Sequence, residues 1–342
     1  MTYRVNKYPA STSNEEKALI KYGEFILLVI LSLLAGYNIL KGVGNQDYFV
    51  YSRYYTSINI DNPLGKEIYF EYFYKIVASF SKLILHLNYE MFVSLLVFIS
   101  LSIKFHLFSK RAYSLYLKMA YIIIMYLIYE SIVLRAAFGI SFIFLAFEYR
   151  DKRLLSLVFL LIGVFLHYSL IFMLPIWIFY KHFIDRNKAI MFLLLLLIGG
   201  ILFYNLLLYS PLVSEYVDGR LMGYVTRSAD YFNIWSLPKV FLLTILSYLL
   251  YTNIYTNDFR DKNKVMIFMF IGVFYFILAI IFFNISILYV RLVDIGILGY
   301  YLAATNPNFR DKSLIRFIFG LFIIYEILTR VLQMPYLVTH YL

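Results

Sequence analysis

The sequence LRAAFGISFIFLAFEYRDKRLLSLVFLLIGVFLHYSLIFMLP, residues 134–175, holds two long apolar runs joined by a short basic turn at 150–153. Each run carries one residue that hydrocarbon does not solvate, Arg135 in the first and His167 in the second. Even on permissive insertion scales, placing an arginine at the centre of a membrane helix costs about 2.5–3.5 kcal/mol of free energy. Arg135 is therefore expected to face protein, water or an anion, and the two residues predict a functional site.

The composition is that of a membrane protein. Of the 342 residues, 62% are hydrophobic and only 15% are charged, and the mean hydropathy of +0.76 lies far outside soluble globular usage. Apolar runs recur from residue 25 to residue 332 with short breaks, so no sizeable soluble domain fits between them. We predict one all-α, polytopic membrane domain over residues 1–342, with about 10–12 transmembrane helices.

Several classes of function are excluded by what the chain lacks. It contains no cysteine, so disulfides, thiolate metal ligands and cysteine nucleophiles are ruled out. Its histidines show no metal-ligand spacing and no Asp-x-Asp pair occurs, so we expect neither a metal nor a cofactor. The net charge of +11 is explained by Lys and Arg in short loops between spans, and nucleic-acid binding is not expected.

The distribution of basic residues predicts a topology. Cytoplasmic loops carry the excess of Lys and Arg, which puts the N-terminus and six breaks in the cytoplasm. These breaks are 1–21, 104–118, 150–153, 181–188, 260–264 and 310–316. The less basic breaks are expected outside, and they are 41–66, the turn near Glu130, 205–236, the turn near Asn284 and the tail after residue 332.

Residues 154–180 join two breaks that are both expected to be cytoplasmic, yet they are too few for two full spans of about 20 residues each. A broken or re-entrant pair that turns near His167, with Pro175 loosening the return arm, satisfies the charge rule. His167 would then lie in the outer half of the membrane. The alternative is one long tilted span, which would put 181–188 outside.

An amphipathic helix is predicted over residues 67–87. Polar residues there recur every three or four positions, at Glu67, Glu71, Lys75, Ser79 and Lys82, and form one stripe along a helix. Such a helix either lies at the outer interface or lines a cavity. The charge count favours the interface, because only one full span then separates 41–66 from 104–118.

On this topology the unusual polar residues converge in one outward-facing, mostly cationic pocket. Arg135, Arg291 and His167 lie in the outer halves of helices, and the outer loops add Asp47, Arg53, Arg220 and Arg227. Two arginines at headgroup depth suit a phosphate or pyrophosphate, because a guanidinium offers a planar set of donors. Tyrosines in 48–55 and 216–231, among them Tyr48 and Tyr224, could stack on sugar rings.

Each of these residues also has a purely structural interpretation. Arg135 could pair with Glu130 or extend to the interface, and Arg291 could pair with Asp294 three residues later. A lone histidine on an apolar face is usually a hydrogen-bonded core residue, which is the corresponding alternative for His167.

Three patches of the sequence resemble the EpsG and Wzy-type polysaccharide polymerases. GNQDYFVYSRYY at 44–55 is similar to an outer-loop Gly-x-Asp-Tyr-x-x-Tyr motif, and it is followed by EIYFEYFYKI with Glu71. The block at 134–175 resembles the family's central Arg-Ala to Phe-His-x-Ser block, and YVRLVDIG at 289–296 is similar to its late arginine in an outer-half helix. The family's Glu-Pro-Gly-Tyr is replaced here by FEYF, which leaves Glu67 as an alternative to Glu71.

The resemblance implies a glycosyltransferase that polymerises undecaprenyl-pyrophosphate-linked oligosaccharide repeats at the outer face of the bacterial cytoplasmic (inner) membrane. The products would be O-antigen, capsule or exopolysaccharide, and a chain-length regulator protein is a further expected partner. Arg135, Arg291 and Arg220 would bind the pyrophosphate, and Arg53, Tyr48 and Tyr224 the glycan. His167 would act as base or orient the acceptor, with Asp47 or Glu71 as the alternative base.

The sequence is also compatible with three other functions. A lipid-linked-glycan flippase would also place arginines in a polar cavity, but its charges should continue into the cytoplasmic half of the membrane. A ligase that moves glycan to a lipid A core or to protein would use the same donor chemistry. A sugar acyltransferase needs only a membrane histidine and does not explain two outer arginines.

Overall fold

A computed structural model gives the fold of residues 14–37, 46–65, 71–110, 114–130, 134–209, 236–256, 262–282, 286–304, 309 and 311–339. Every regular element in these ranges is a helix. The predicted class, an all-helical polytopic membrane protein, is confirmed. The predicted outer loops 41–66 and 205–236 and the turn near Asn284 lie partly or wholly outside the described residues.

Thirteen α-helices follow one another along the described chain. They are α1 (Asn14–Gly36), α2 (Gln46–Ser57), α3 (Tyr72–Leu83), α4 (Tyr89–Ser109), α5 (Ser114–Tyr121), α6 (Leu134–Glu148), α7 (Arg153–Leu166), α8 (Met173–Ile184), α9 (Arg186–Tyr209), α10 (Ser236–Thr256), α11 (Lys262–Ile281), α12 (Ser286–Ala304) and α13 (Lys312–Thr339). A π-helix (Ile122–Glu130) continues α5, and a 3-10 helix (Tyr168–Phe172) precedes α8.

Four of the described helices are long and apolar enough to cross a membrane, judged by length and composition. These segments are Ala18–Gly36, Tyr89–Ser109, Leu237–Thr256 and Lys262–Ile281. Shorter apolar helices include Arg153–Leu166 and Leu292–Ala304. The total number of crossings and the side of the membrane that each loop faces stay predictions.

The break predicted at His167 is present. Helix α7 ends at Leu166, and the backbone of His167 is extended before the 3-10 helix begins. The Trp177 indole Nε1 donates a hydrogen bond of 2.8 Å to Ser156 Oγ. In one continuous helix, residues 21 positions apart would be separated by about 31 Å, so the chain must reverse direction. The predicted broken pair is therefore confirmed, and one continuous span over residues 154–180 is wrong. That both ends of the pair lie on the same side of the membrane stays a prediction.

Helix α2 lies in a segment that we predicted as an outer loop. Its buried side chains Tyr51, Tyr54 and Tyr55, followed by Ile58, recur at helical spacing and pack against α3 and α4. The average hydropathy of the helix is low, so its buried face was not recognised from the sequence. Tyrosine packs its ring in the core while its hydroxyl finds a polar partner, so an apolar face can be built from residues that score as weakly polar.

Helix α3 carries the predicted amphipathic pattern over the described residues 71–83. Tyr74, Ala78 and Ser81 form its buried face. The polar edge contacts the C-terminal end of α2, where Lys82 Nζ donates to the carbonyl oxygens of Tyr55 and Thr56 at 2.8 and 2.9 Å. The polar stripe therefore holds α2 and α3 together. Glu67 lies outside the described residues.

Glycines bring α6 and α7 into close contact. A Cβ added at Gly163 would lie 2.7 Å from the Gly139 carbonyl oxygen, and one added at Gly139 would lie 2.8 Å from Leu170 Cδ1. Small residues of this kind are the usual means by which helix backbones approach each other in a membrane. Because Arg135 lies one turn before Gly139, and His167 one turn after Gly163, this contact places the two residues near each other.

Two charged residues that were predicted in loops on opposite sides of the membrane form a buried ion pair. Lys104 Nζ contacts Glu130 Oε1, and the two residues are 1% and 0% exposed. Lys104 also donates to Ser100 Oγ at 2.9 Å and to the Ala137 carbonyl oxygen at 3.0 Å, and Tyr121 Oη donates to Glu130 at 2.6 Å. The loop placement of both residues is wrong, because an ammonium with acceptors on two neighbouring helices can be buried.

The re-entrant pair predicts that both of its ends are accessible from one side. Single cysteines at Asp151 and Asn187, both exposed, should react with a membrane-impermeant maleimide from the same side. We expect no labelling in intact cells and labelling of both in inverted vesicles, and the cysteine-free parent is the blank. Labelling of the two positions from opposite sides would contradict the hairpin.

Candidate functional site

The first turn of α6 places Arg135 among three side chains from other elements. Its Nη1 forms an ion pair with Glu71 Oε2, and its Nε donates a hydrogen bond of 3.0 Å to Tyr51 Oη. The guanidinium also lies over the rings of Tyr51 and Tyr74, with its Cζ 4.9 and 5.8 Å from the ring centroids. These contacts fix the plane of the guanidinium from two directions.

His167 completes the group. Its Nδ1 lies 3.1 Å from Glu71 Oε1, so the two oxygens of one carboxylate contact Arg135 and His167 separately. When Nδ1 donates to a carboxylate, the neutral imidazole carries its lone pair on Nε2. We call Tyr51, Glu71, Tyr74, Arg135 and His167 the Glu71 cluster.

The Glu71 cluster is buried and its charges are balanced. Glu71, Arg135 and His167 are 7%, 8% and 7% exposed. Burial alone would raise the pKa of the Glu71 carboxyl, but the His167 hydrogen bond and the charge of Arg135 lower it to about 2. Glu71 is therefore an anion at physiological pH, and a carboxylate this acidic is a weak proton acceptor.

Four separate elements supply the cluster. Tyr51 comes from α2, Glu71 caps the N-terminus of α3, Arg135 opens α6 and His167 ends α7. Glu71 Oε2 can reach Arg135 because α3 packs against α7, which in turn packs closely on α6. The helix break at His167 releases its side chain from the helical direction and turns it toward the carboxylate.

The structure brings together three of the residues that the sequence singled out, Glu71, Arg135 and His167. Arg53 is exposed on α2. Asp47 and Tyr48 belong to α2 and Arg291 to α12, but their side chains lie outside the described part of the chain, as do Arg220, Tyr224 and Arg227 entirely. Within the described residues, Arg135 is neutralised by Glu71, and the predicted cationic pocket stays a prediction because its other arginines are not described.

Sequence inspection gave Tyr74 no role, and it included Tyr51 only among the tyrosines of 48–55 that could stack on sugar rings. Both are buried, and their rings pack together at 6.1 Å between centroids. Tyrosine is abundant in this chain, with 35 copies, so neither position stood out. The spacing of Tyr51, Tyr54 and Tyr55 was the available signal for a buried face on α2.

The cluster contains no obvious metal site. Within the described residues, no three histidine, aspartate or glutamate side chains are grouped as metal ligands. Glu71 already has both of its oxygens in contact with Arg135 and His167. What the described arrangement offers is a fixed guanidinium and an imidazole held by a carboxylate.

These features define a class: an all-helical, multi-pass membrane protein with a buried Arg–Glu–His cluster at the break of a helix pair. The EpsG family model matches residues 24–336, and the chain belongs to the EpsG family. Membership implies a role in polysaccharide biosynthesis. No curated protein and no solved structure matches the chain.

The shared carboxylate predicts that Glu71 and Arg135 are energetically coupled. Replacing Arg135 by Met leaves a buried carboxylate unpaired, which typically costs about 3–5 kcal/mol, whereas replacing both partners by apolar residues is often nearly neutral. We expect Arg135→Met to lower the thermal unfolding temperature in detergent strongly, and Arg135→Met with Glu71→Leu to recover much of the loss. Additive losses in the double variant would contradict the coupling.

Proposed function

We propose that this protein is a membrane glycosyltransferase that polymerises undecaprenyl-pyrophosphate-linked oligosaccharide repeats. The observation that carries the proposal is the Glu71 cluster, in which one carboxylate holds both a guanidinium and an imidazole. The family membership supports the choice of polysaccharide chemistry. The reaction transfers the glycan of one lipid-linked repeat to a sugar hydroxyl of another, at the outer face of the bacterial inner membrane.

Arg135 is assigned to the leaving group. The bond between the anomeric carbon and the pyrophosphate oxygen breaks, and negative charge accumulates on the departing pyrophosphate. A guanidinium whose plane is fixed by Tyr51 and Tyr74 presents donors in the geometry that paired phosphate oxygens accept. Arg291 and Arg220 are proposed to add further positive charge to the same group, since Arg135 is already paired with Glu71.

His167 is assigned as the base. The attacking hydroxyl must lose a proton as its oxygen bonds to the anomeric carbon, and the imidazole Nε2 accepts it. Glu71 then stabilises the imidazolium through the bond to Nδ1. The low pKa of the Glu71 carboxyl argues against Glu71 as the base and for a positioning role. Asp47 is the alternative base, and Arg53, Tyr48 and Tyr224 are proposed to contact the glycan.

A second candidate, a flippase for lipid-linked glycans, is favoured by one observation. The charges do not stop at the Glu71 cluster, because the Lys104–Glu130 pair is fully buried and Lys118 pairs with Glu24 of α1. Buried ion pairs along the length of a membrane domain are a feature of transport pathways. We expected the charged residues of an enzyme to be confined to the outer half of the membrane, and these additional ion pairs support the flippase as the second candidate.

The assignment is tested by surface polysaccharide from the source bacterium, separated on a gel. Arg135→Lys keeps the charge but loses the planar donors, and His167→Ala removes the base, so each should abolish the long-chain ladder. We expect losses of about 100-fold or more, as is typical for removing an acid–base group. Arg53→Ala, an exposed change on α2, is the control for glycan contact alone and should shorten the ladder only slightly.

Protein level, measured by an epitope tag, separates loss of function from loss of protein. A full ladder in both variants at normal protein level would contradict the assignment. The site of accumulation of lipid-linked repeats distinguishes the two candidates. Repeats that accumulate at the outer face support a polymerase, and repeats trapped on the cytoplasmic side support a flippase.

A further inference from the structure

The guanidinium of Arg135 already has acceptors from the protein on both of its binding edges. Paired phosphate oxygens bind a guanidinium either at Nε and Nη2 or at Nη1 and Nη2. In Arg135, Nε donates to Tyr51 Oη at 3.0 Å and Nη1 contacts Glu71 Oε2, so each edge has one nitrogen engaged. The residue is 8% exposed. A phosphate group can therefore bind Arg135 at two points only in exchange for one of these contacts.

The contact with Glu71 can be given up without disturbing the helix that carries it. Glu71 precedes the first residue of α3, and its side chain makes no capping hydrogen bond to that helix. Helix α3 is also held by other contacts, because Lys82 Nζ donates to the carbonyl oxygens of Tyr55 and Thr56 at 2.8 and 2.9 Å. The carboxylate of Glu71 can therefore move while α3 stays in place.

His167 gives the displaced carboxylate a second partner. Glu71 Oε1 lies 3.1 Å from His167 Nδ1, so the carboxylate keeps this contact when Oε2 leaves Arg135. A pyrophosphate ester carries more negative charge than one carboxylate, and it therefore competes effectively for the guanidinium. The released Oε2 then needs a hydrogen-bond donor, which a sugar hydroxyl of the substrate supplies.

We propose that Glu71 exchanges partners during the reaction: the pyrophosphate of the donor displaces it from Arg135, and its carboxylate then serves His167 alone. This rests on the proposed function, because it takes that pyrophosphate to bind at Arg135. A carboxylate that is no longer shared with a guanidinium stabilises an imidazolium more strongly. Binding of the donor thus prepares His167 to accept the proton of the attacking hydroxyl, and Glu71 is the positioning residue that couples the two events.

The test uses the full-length protein in vesicles of phosphatidylethanolamine and phosphatidylglycerol, with radiolabelled undecaprenyl pyrophosphate as the probe. We expect Glu71→Gln to bind the probe about tenfold tighter than the wild type, because the buried Arg135 loses its competing anion. With lipid-linked repeats as substrate, kcat should fall about 100-fold, because a neutral amide does not stabilise the imidazolium. A damaged fold does not produce tighter binding. Unchanged or weaker binding overturns the proposal.

The matched control removes a different buried carboxylate. Glu148, at the other end of α6, contacts Lys110 and Lys264 at 3.6 and 3.3 Å between Nζ and Oε1. Glu148→Gln changes the net charge by the same amount and should leave probe binding unchanged. Adding Arg135→Met to Glu71→Gln should abolish the gain in affinity. An equal gain in the Glu148 variant, or a gain that persists without Arg135, overturns the proposal.

A measurement on the wild-type protein does not depend on the folding of any variant. Release of Glu71 removes the ion pair that connects α3 to α6, so undecaprenyl pyrophosphate should speed amide hydrogen exchange at the start of α3 about twofold. Slower or unchanged exchange there contradicts the exchange of partners. Failure of the proposed function is visible separately, as absence of glycan transfer by a wild-type protein in which both binding results are obtained.

Discussion

The ion pair between Arg135 and Glu71 is the interaction on which the arrangement around the site depends. An arginine in an apolar helix cannot stay unpaired, since the cost of burying an isolated charge exceeds the stability of most domains. Its partner comes from α3, an element that does not cross the membrane by itself. The ion pair thereby connects the short helix α3 to α6, and the second carboxylate oxygen of Glu71 contacts His167 at the end of α7.

The sequence predicted those structural elements that depend only on nearby residues. The break at His167 followed from the length of residues 154–180 and the basic residues at both ends, and the hydrogen bond between Trp177 and Ser156 shows the reversal. The amphipathic pattern of α3 was likewise predicted from the spacing of its polar residues. Helix α2 was missed because hydropathy counts tyrosine as nearly neutral, although its spacing at 51, 54 and 55 was helical.

The sequence identified three residues of the candidate site, Glu71, Arg135 and His167, but not which of them form ion pairs with each other. An intramembrane charge marks Arg135 as unusual, yet nothing in the sequence says that its partner is Glu71, 64 residues earlier, rather than Glu130. Glu130 instead pairs with Lys104, 26 residues before it. Pairing depends on which helices are neighbours, and that is decided by packing over the whole bundle. The expected cationic pocket counted Arg135 without its counterion Glu71. The side chains of Arg291, Arg220 and Arg227 lie outside the described residues, so the pocket as a whole stays a prediction.

The glycine contact between α6 and α7 has a consequence for how this family can vary. Gly139 and Gly163 bring the two helices together, because a Cβ at Gly163 would lie 2.7 Å from the Gly139 carbonyl oxygen and one at Gly139 would lie 3.5 Å from His167 Cβ. The exposed apolar residues of α7, such as Leu154, Val158 and Phe165, lie away from this contact, so exchanges there among leucine, isoleucine, valine and phenylalanine leave it unchanged. Helix α6 is buried along nearly its whole length, so its residues have no such freedom.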